Sequence, residues 1–266
     1  MSKNLTKEDV ISHKKSAIKT VNNLLEMYIN HPNAKYLKKA NLLSYWLEDF
    51  SEYIQKENKF NPTEIISYKR GDVIKANFGF NVGSEHGGLH YAIVLDNHNH
   101  HSSPVVTVVP LSSGTSDTTY GRDVFLGQEL YIKMNAKNKS LLENARKKYG
   151  EDSGILSTLD DAVQKVNKEG LTQSSADNIL EIMSQIQTRL DEIAKDIHLL
   201  EKYEKEIARM KQGSIALMEQ ITTISKMRIH VPKRSTDILF GISFSAEAME
   251  KINSQLIKLY IKENNS

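Results

Sequence analysis

The period of the apolar residues changes twice along this chain, and that restricts the fold more than any other feature. From Tyr68 the period is two: Ile74, Ala76 and Phe78 share one face of a first strand, and Tyr91, Ile93 and Leu95 alternate in a second. A third, almost continuously apolar strand runs from Val105 to Leu111. The Gly-, Asn- and His-rich stretches 79–88 and 97–103 read as loops between them. Short strands at this spacing, followed by further strand-like runs at 123–126 and 129–133, predict a small, strongly coiled sheet or barrel.

On either side the period is that of a helix. Thr6-Lys-Glu-Asp9 has the form of a capping box, and Val10, Ile18, Val21, Leu25 and Tyr28 follow near helical spacing. His31-Pro32-Asn33 breaks this helix, after which Leu37, Leu43, Trp46, Leu47, Phe50, Tyr53 and Ile54 mark a second one ending near Lys59. Downstream, Ile179, Met183, Ile186, Leu190, Ile193, Ile197 and Leu200 alternate steps of four and three, the seam of a coiled coil. Its partner is either the weaker pattern Leu156, Leu159, Val163 and Val166 folded back across 170–175, or the same helix of a second copy. After Gly213, residues 215–218 and 221–224 return to strand composition, and Met249, Ile252, Leu256 and Tyr260 form a last helix with Ser245 as N-cap. The expected organisation is α+β: a helical hairpin (1–62), the first part of a barrel (63–136), a helical coiled-coil insertion (137–213), and barrel completion with a terminal helix (214–266).

Charge does little to narrow the function, since 35 basic against 33 acidic residues leave a net +2. A nucleic-acid surface would have to be local. The chain has no cysteine, which excludes disulfides and thiolate-bound zinc, and no apolar run of signal-peptide or membrane-spanning length. Cytoplasmic residence is the expectation, with no membrane partner.

Two motifs at a fixed separation, Arg70-Gly71-Asp72 and Gly83-Ser84-Glu85-His86-Gly87-Gly88, resemble the opening signature of the MazF/PemK family of toxin ribonucleases. The following Tyr91-Ala-Ile-Val-Leu95, Val109-Pro110-Leu111-Ser112-Ser113, the Gln220–Ile229 stretch and the terminal helix resemble the family's later elements, so the likeness covers roughly 68–135 and 214–262. It implies a small SH3-like barrel, a homodimer, cleavage of single-stranded RNA without a cofactor or metal, and inhibition by an antitoxin protein laid across the RNA groove. The related ToxN group shares the Pro110–Ser113 wording but answers to an RNA antitoxin.

RNA cleavage without a metal needs a group to take the 2′-hydroxyl proton and donors for the charged phosphorane. The family's pattern places Arg after Gly-Gly-x and Thr at the end of the third strand; here those positions hold His90 and Ser112. Arg stays protonated, whereas imidazole titrates near neutrality, so His90 suits proton transfer better than fixed charge. Ser112 keeps a hydroxyl for the phosphate or the 2′-oxygen. Further RNA-contact candidates are Ser84, Glu85, Tyr91, Ser113 and the cations Lys226 and Arg228.

Each has a plainer role beside it. Ser84 and Glu85 also suit a local cap, Tyr91 also suits a core, and Asp72 is expected to fix the start of the first strand. His98, His100 and His101 suit solvated loop positions better than a metal site. Trp46, Phe50 and Tyr53 read as packing, although the interleaved Glu48, Asp49 and Glu52 give that helix an acidic and apolar character. The competing function is a barrel that binds RNA or antitoxin without cutting, assembled through its coiled coil.

Overall fold

The computed structural model describes residues 5–150 and 153–262. Two helices come first, α1 (Lys7–Ile29) and α2 (Ala34–Lys56), and then four strands, β1 (Val73–Asn77), β2 (Leu89–Val94), β3 (Val105–Ser113) and β4 (Val124–Phe125). Three helices follow, α3 (Glu129–Gly150), α4 (Ser153–Glu169) and α5 (Gln173–Arg209). Strands β5 (Ser214–Ala216), β6 (Thr222–Ser225) and β7 (Ile229–Val231) and helix α6 (Ala246–Tyr260) complete the chain. These elements fall into two compact units, one holding the chain up to Phe60 with Asn77–Leu89, the other Asn61–Ala76 with the chain from His90 onward.

In the first unit the expected hairpin is present. The Thr6 hydroxyl accepts from the Asp9 amide at 3.1 Å and the Asp9 carboxylate accepts from the Thr6 amide at 3.2 Å, which satisfies two amides at the start of α1. Asn33 caps α2 by accepting from the Lys35 amide at 3.0 Å. Helix α1 buries no residue fully, α2 buries Ala40, and the two helices pack together.

The second unit is built on an antiparallel sheet whose hydrogen-bonded path runs β4-β5-β3-β2-β1-β7, with β6 also paired to β3. Nine-residue β3 organises it, since its first half pairs with β6, its last three residues pair with β5, and its other edge pairs with β2. The turn into β5 depends on Gly213 at φ +86, where an added Cβ would stand 2.0 Å from the Gly114 carbonyl oxygen. One face of the sheet carries Val73, Ile93, Val109, Leu111 and Ala216 into a core shared with Leu130 and Met134 of α3, Tyr203 of α5 and Met249 and Ile252 of α6. Ser245 caps α6, and its hydroxyl and amide both bind the Glu129 carboxylate, fixing the terminal helix to the start of α3.

Two expectations need correction. The segment 129–133 opens α3 and is not a strand: Leu130 and Met134, one helical turn apart, are both buried, and Ile132 between them is exposed. The coiled-coil seam is only half covered. Helix α5 packs against both α3 and α4 of its own chain. Its Met183, Leu190 and Ile197 remain 55%, 54% and 51% exposed. The covered line instead follows Ile179, Ile182, Ile186, Ile193, Leu200 and Tyr203, the drift of a straight helix packed on two short neighbours.

Candidate functional site

The Arg-Gly-Asp turn is structural. Gly71 donates its amide to the Val94 carbonyl and Val94 returns a bond to Asp72, both at 2.9 Å, while the Asp72 carboxylate accepts from the Lys69 amide at 2.7 Å. Burial raises the Asp72 carboxyl above its usual range, against the opposing effect of the Lys69 amide and charge. Arg70 ties this turn to the Leu95 carbonyl and to Asn253 of α6. As expected, Asp72 fixes the entry to β1.

The glycine-rich loop of the first unit closes on itself. Phe78 donates to the Gly88 carbonyl at 2.8 Å and Gly88 to the Gly79 carbonyl at 2.7 Å, so the two ends of the loop are stapled. Gly87 is needed there, because a Cβ would meet the Gly79 carbonyl oxygen at 2.6 Å. Within the loop the Glu85 carboxylate accepts from the Val82 amide at 3.2 Å, and Asn81 donates to the carbonyls of Phe78 and His86. Glu85 therefore takes the local-cap role, and both it and Ser84 are exposed. Phe78 is buried, with its ring edge-on to His86 at 5.7 Å.

His90 and Ser112 lie in the second unit, on neighbouring strands. The β2–β3 register pairs Val94 with Val108, Ile93 with Val109 and Ala92 with Pro110. That pairing ends at Ala92 and Pro110, and each strand continues past it, through His90 in β2 and Ser112 in β3. Ala92 and Pro110 point to one face, and alternation keeps residues two further along each strand, His90 and Ser112, on that same side of the sheet. Both are half-buried, and Ser112 is flanked on its other edge by Ile215 of β5. Ser113, at the exposed end of β3, points to the opposite face and pairs with Ser214.

Tyr91 turns away from this pair. It packs against the core, and its hydroxyl donates to Glu206 near the end of α5, where Lys75 also binds. Burial would raise the Glu206 carboxyl, but the bonds from Lys75 and Tyr91 outweigh it and hold the group below its usual range. The Tyr91 phenol is pushed well above its ordinary value, first by burial and then by Glu206. Tyr91 is thus an anchor between sheet and arm, and its ring is not a free stacking surface.

Of the two candidate cations, Lys226 is fully buried. Its ammonium donates to the carbonyls of His100 and His101 at 3.2 and 3.4 Å, and burial lowers its pKa. It holds the histidine loop and presents no charge at the surface, which corrects its assignment to RNA. Arg228 is half-buried just before β7. In that loop His101 bonds the Ile65 carbonyl and His100 the Ser102 hydroxyl, each at 2.7 Å. Among the described residues no three His, Cys, Asp or Glu side chains come together as a metal site.

The sequence reading missed Glu206, whose signal was a carboxylate at the buried phase of α5, one turn after Tyr203. It also missed Asn77, whose amide joins the glycine-rich loop to α2.

Helices on either side of an antiparallel sheet in the chain order, with a further helical segment between its strands, define an α+β protein. Residues 69–193 match the family described as PemK-like, MazF-like toxin of type II toxin-antitoxin system. The matched range runs on through α3 and α4 into α5, so it takes in much of the helical arm that the motifs alone set apart. It ends before β5 and β6, although these strands pair with β3 in the same sheet. Among curated proteins none matches the chain. No helix among the described residues is long and apolar enough to cross a membrane.

Proposed function

We propose that this toxin is an endoribonuclease that cuts single-stranded RNA with His90 and Ser112, leaving a 2′,3′-cyclic phosphate and a 5′-hydroxyl. What supports this reading is the alternation of β2 and β3 beyond their last shared pair, Ala92 with Pro110, which puts the imidazole and the hydroxyl on one side of the sheet. In the proposed step the 2′-oxygen bonds to phosphorus as the P–O5′ bond breaks. The 2′-hydroxyl proton passes to the His90 imidazole, and the leaving oxygen takes its proton from solvent. Ser112 donates to a phosphate oxygen as charge builds there.

Ser84 and Ser113, both exposed, are the remaining hydroxyls we assign to RNA contact, with Arg228 as the cation of the set. Glu85 acts through the shape of the loop, given its bond to Val82. We read the curved sheet as the family's SH3-like barrel, the active form as a homodimer, and the partner as an antitoxin protein. The test is incubation of the purified chain with a mixed single-stranded RNA in excess chelator, followed by mapping of the new ends. Cyclic-phosphate and 5′-hydroxyl ends support the reading. A mobility shift with uncut RNA would instead identify a binding protein.

A further inference from the structure

The glycine-rich loop is held from outside the residues that match the toxin family. Asn77, the last residue of β1, donates its side-chain amide to the Asp49 carboxylate of α2 at 2.7 Å. The other end of the same amide accepts from the Gly79 backbone at 2.9 Å. Gly79 is in turn the residue whose carbonyl receives Gly88, closing the loop at 2.7 Å. A single relay therefore runs from α2 through Asn77 and Gly79 to Gly88, and the chain continues from Gly88 through Leu89 to His90.

Asp49 is well placed for this. Trp46 and Tyr53, one turn before and one after, project from the same side of α2, with ring centroids 6.3 Å apart. Asp49 itself is half-buried, whereas Glu48 and Glu52 beside it are exposed. A hydrogen bond to a carboxylate is stronger than one between neutral groups. The loop contains several glycines and turns with φ near +88, +62 and +91 at Gly79, Gly83 and Gly88, so it has little intrinsic preference for this shape. An external anchor supplies the missing restraint.

We infer that Asp49 is a positioning residue for RNA cleavage: the N-terminal hairpin is a built-in brace for the Gly79–Gly88 loop, and Asp49 is its point of attachment. This rests on the ribonuclease reading for its effect on RNA, but not for its effect on the loop. It also assigns work to a segment that the toxin-family match leaves out, since Asp49 precedes residue 69.

The experiment compares the full-length wild type with Asp49→Ala and Asp49→Asn, reading amide hydrogen exchange of the loop and steady-state RNA cleavage. Asp49→Ala removes the acceptor, and we expect the Gly79 and Gly88 amides to exchange about tenfold faster or more. Asp49→Asn keeps an oxygen that can accept from Asn77, and should stay within about threefold of wild type. In cleavage, Asp49→Ala should raise KM more than it lowers kcat, because the variant's loosened loop must be ordered on RNA binding.

Should Asp49→Ala also unprotect α2 itself, Asn77→Ala cuts the same relay from the loop side and should give the same exchange at Gly88. Unchanged loop exchange in the alanine variants, or an Asp49→Asn variant as defective as Asp49→Ala, would overturn the inference. Faster loop exchange in a protein whose wild type leaves RNA intact would retain the brace and reject the ribonuclease.

Discussion

The sheet and the helical arm of the second unit are stabilised in different ways. In the sheet, Ile74, Ala92, Ile93, Val94, Val106, Val108 and Val109 are each completely buried. Along the 37 residues of α5, Ile182, Tyr203 and Glu206 are the buried positions, and two of these stand in the last two turns, against the sheet. The rest of the helix is half-covered by α3 and α4 and held partly by polar contacts, such as Lys148 of α3 with Glu192 at 3.1 Å and Arg189 with the Lys148 carbonyl at 2.8 Å. Exposed ion pairs of this kind contribute little. The sheet is thus stabilised by dense packing through its centre, and the arm mainly by its root.

That contrast predicts a graded response to substitution. Ile93→Ala, at a site with no room to collapse, should cost about 2–5 kcal/mol. Glu206→Gln, at the root of the arm, should cost about 1.5–3 kcal/mol, because Lys75 loses its charged partner in a poorly solvated place. Leu190→Ala, on the open side of α5, should change stability by less than about 0.5 kcal/mol beyond its small helix-propensity effect. Amide exchange of β2, β3 and α5 measures all three. A loss at Leu190 as large as that at Ile93 would mean that another surface covers the arm in solution.

The root also has a pH signature. The Glu206 carboxyl is held below its ordinary value of 4.5 in the folded chain, so its contribution is complete above that value. It is lost as pH falls through the lowered folded value. Acidification from about pH 6 to about pH 4 and below should loosen the end of α5 in wild type, and Glu206→Gln should remove that component of the acid sensitivity. An identical acid response in both proteins would show that Glu206 is not the group that titrates.

Much of this arrangement was legible in the residues, and the exceptions have physical causes. Alternation located β1 and β2 and a nearly continuous apolar run located β3, and Thr6 and Ser245 announced helix starts through local hydrogen bonds that the sequence itself contains. The segment 129–133 misled because five residues cannot distinguish alternation from a helical turn, and only the later Met134 and Leu141 reveal the period. The seam on α5 misled for a different reason: a heptad pattern states that a surface is apolar, not which neighbour covers it. Lys226 read as a surface cation by residue type alone, since nothing local signals that its ammonium ends on the carbonyls of a loop more than a hundred residues earlier. At the site itself, motif spacing pointed to both His90 and Ser112, but their common face needed the strand register.

The central claim is that this face transfers a proton. It is tested most directly by single-turnover cleavage of a single-stranded RNA in chelator by His90→Ala, with amide exchange of β2 and β3 as the control for folding. The account predicts a rate at least about a hundredfold below wild type with strand protection unchanged. A folded His90→Ala variant that cuts within about threefold of the wild-type rate would contradict it.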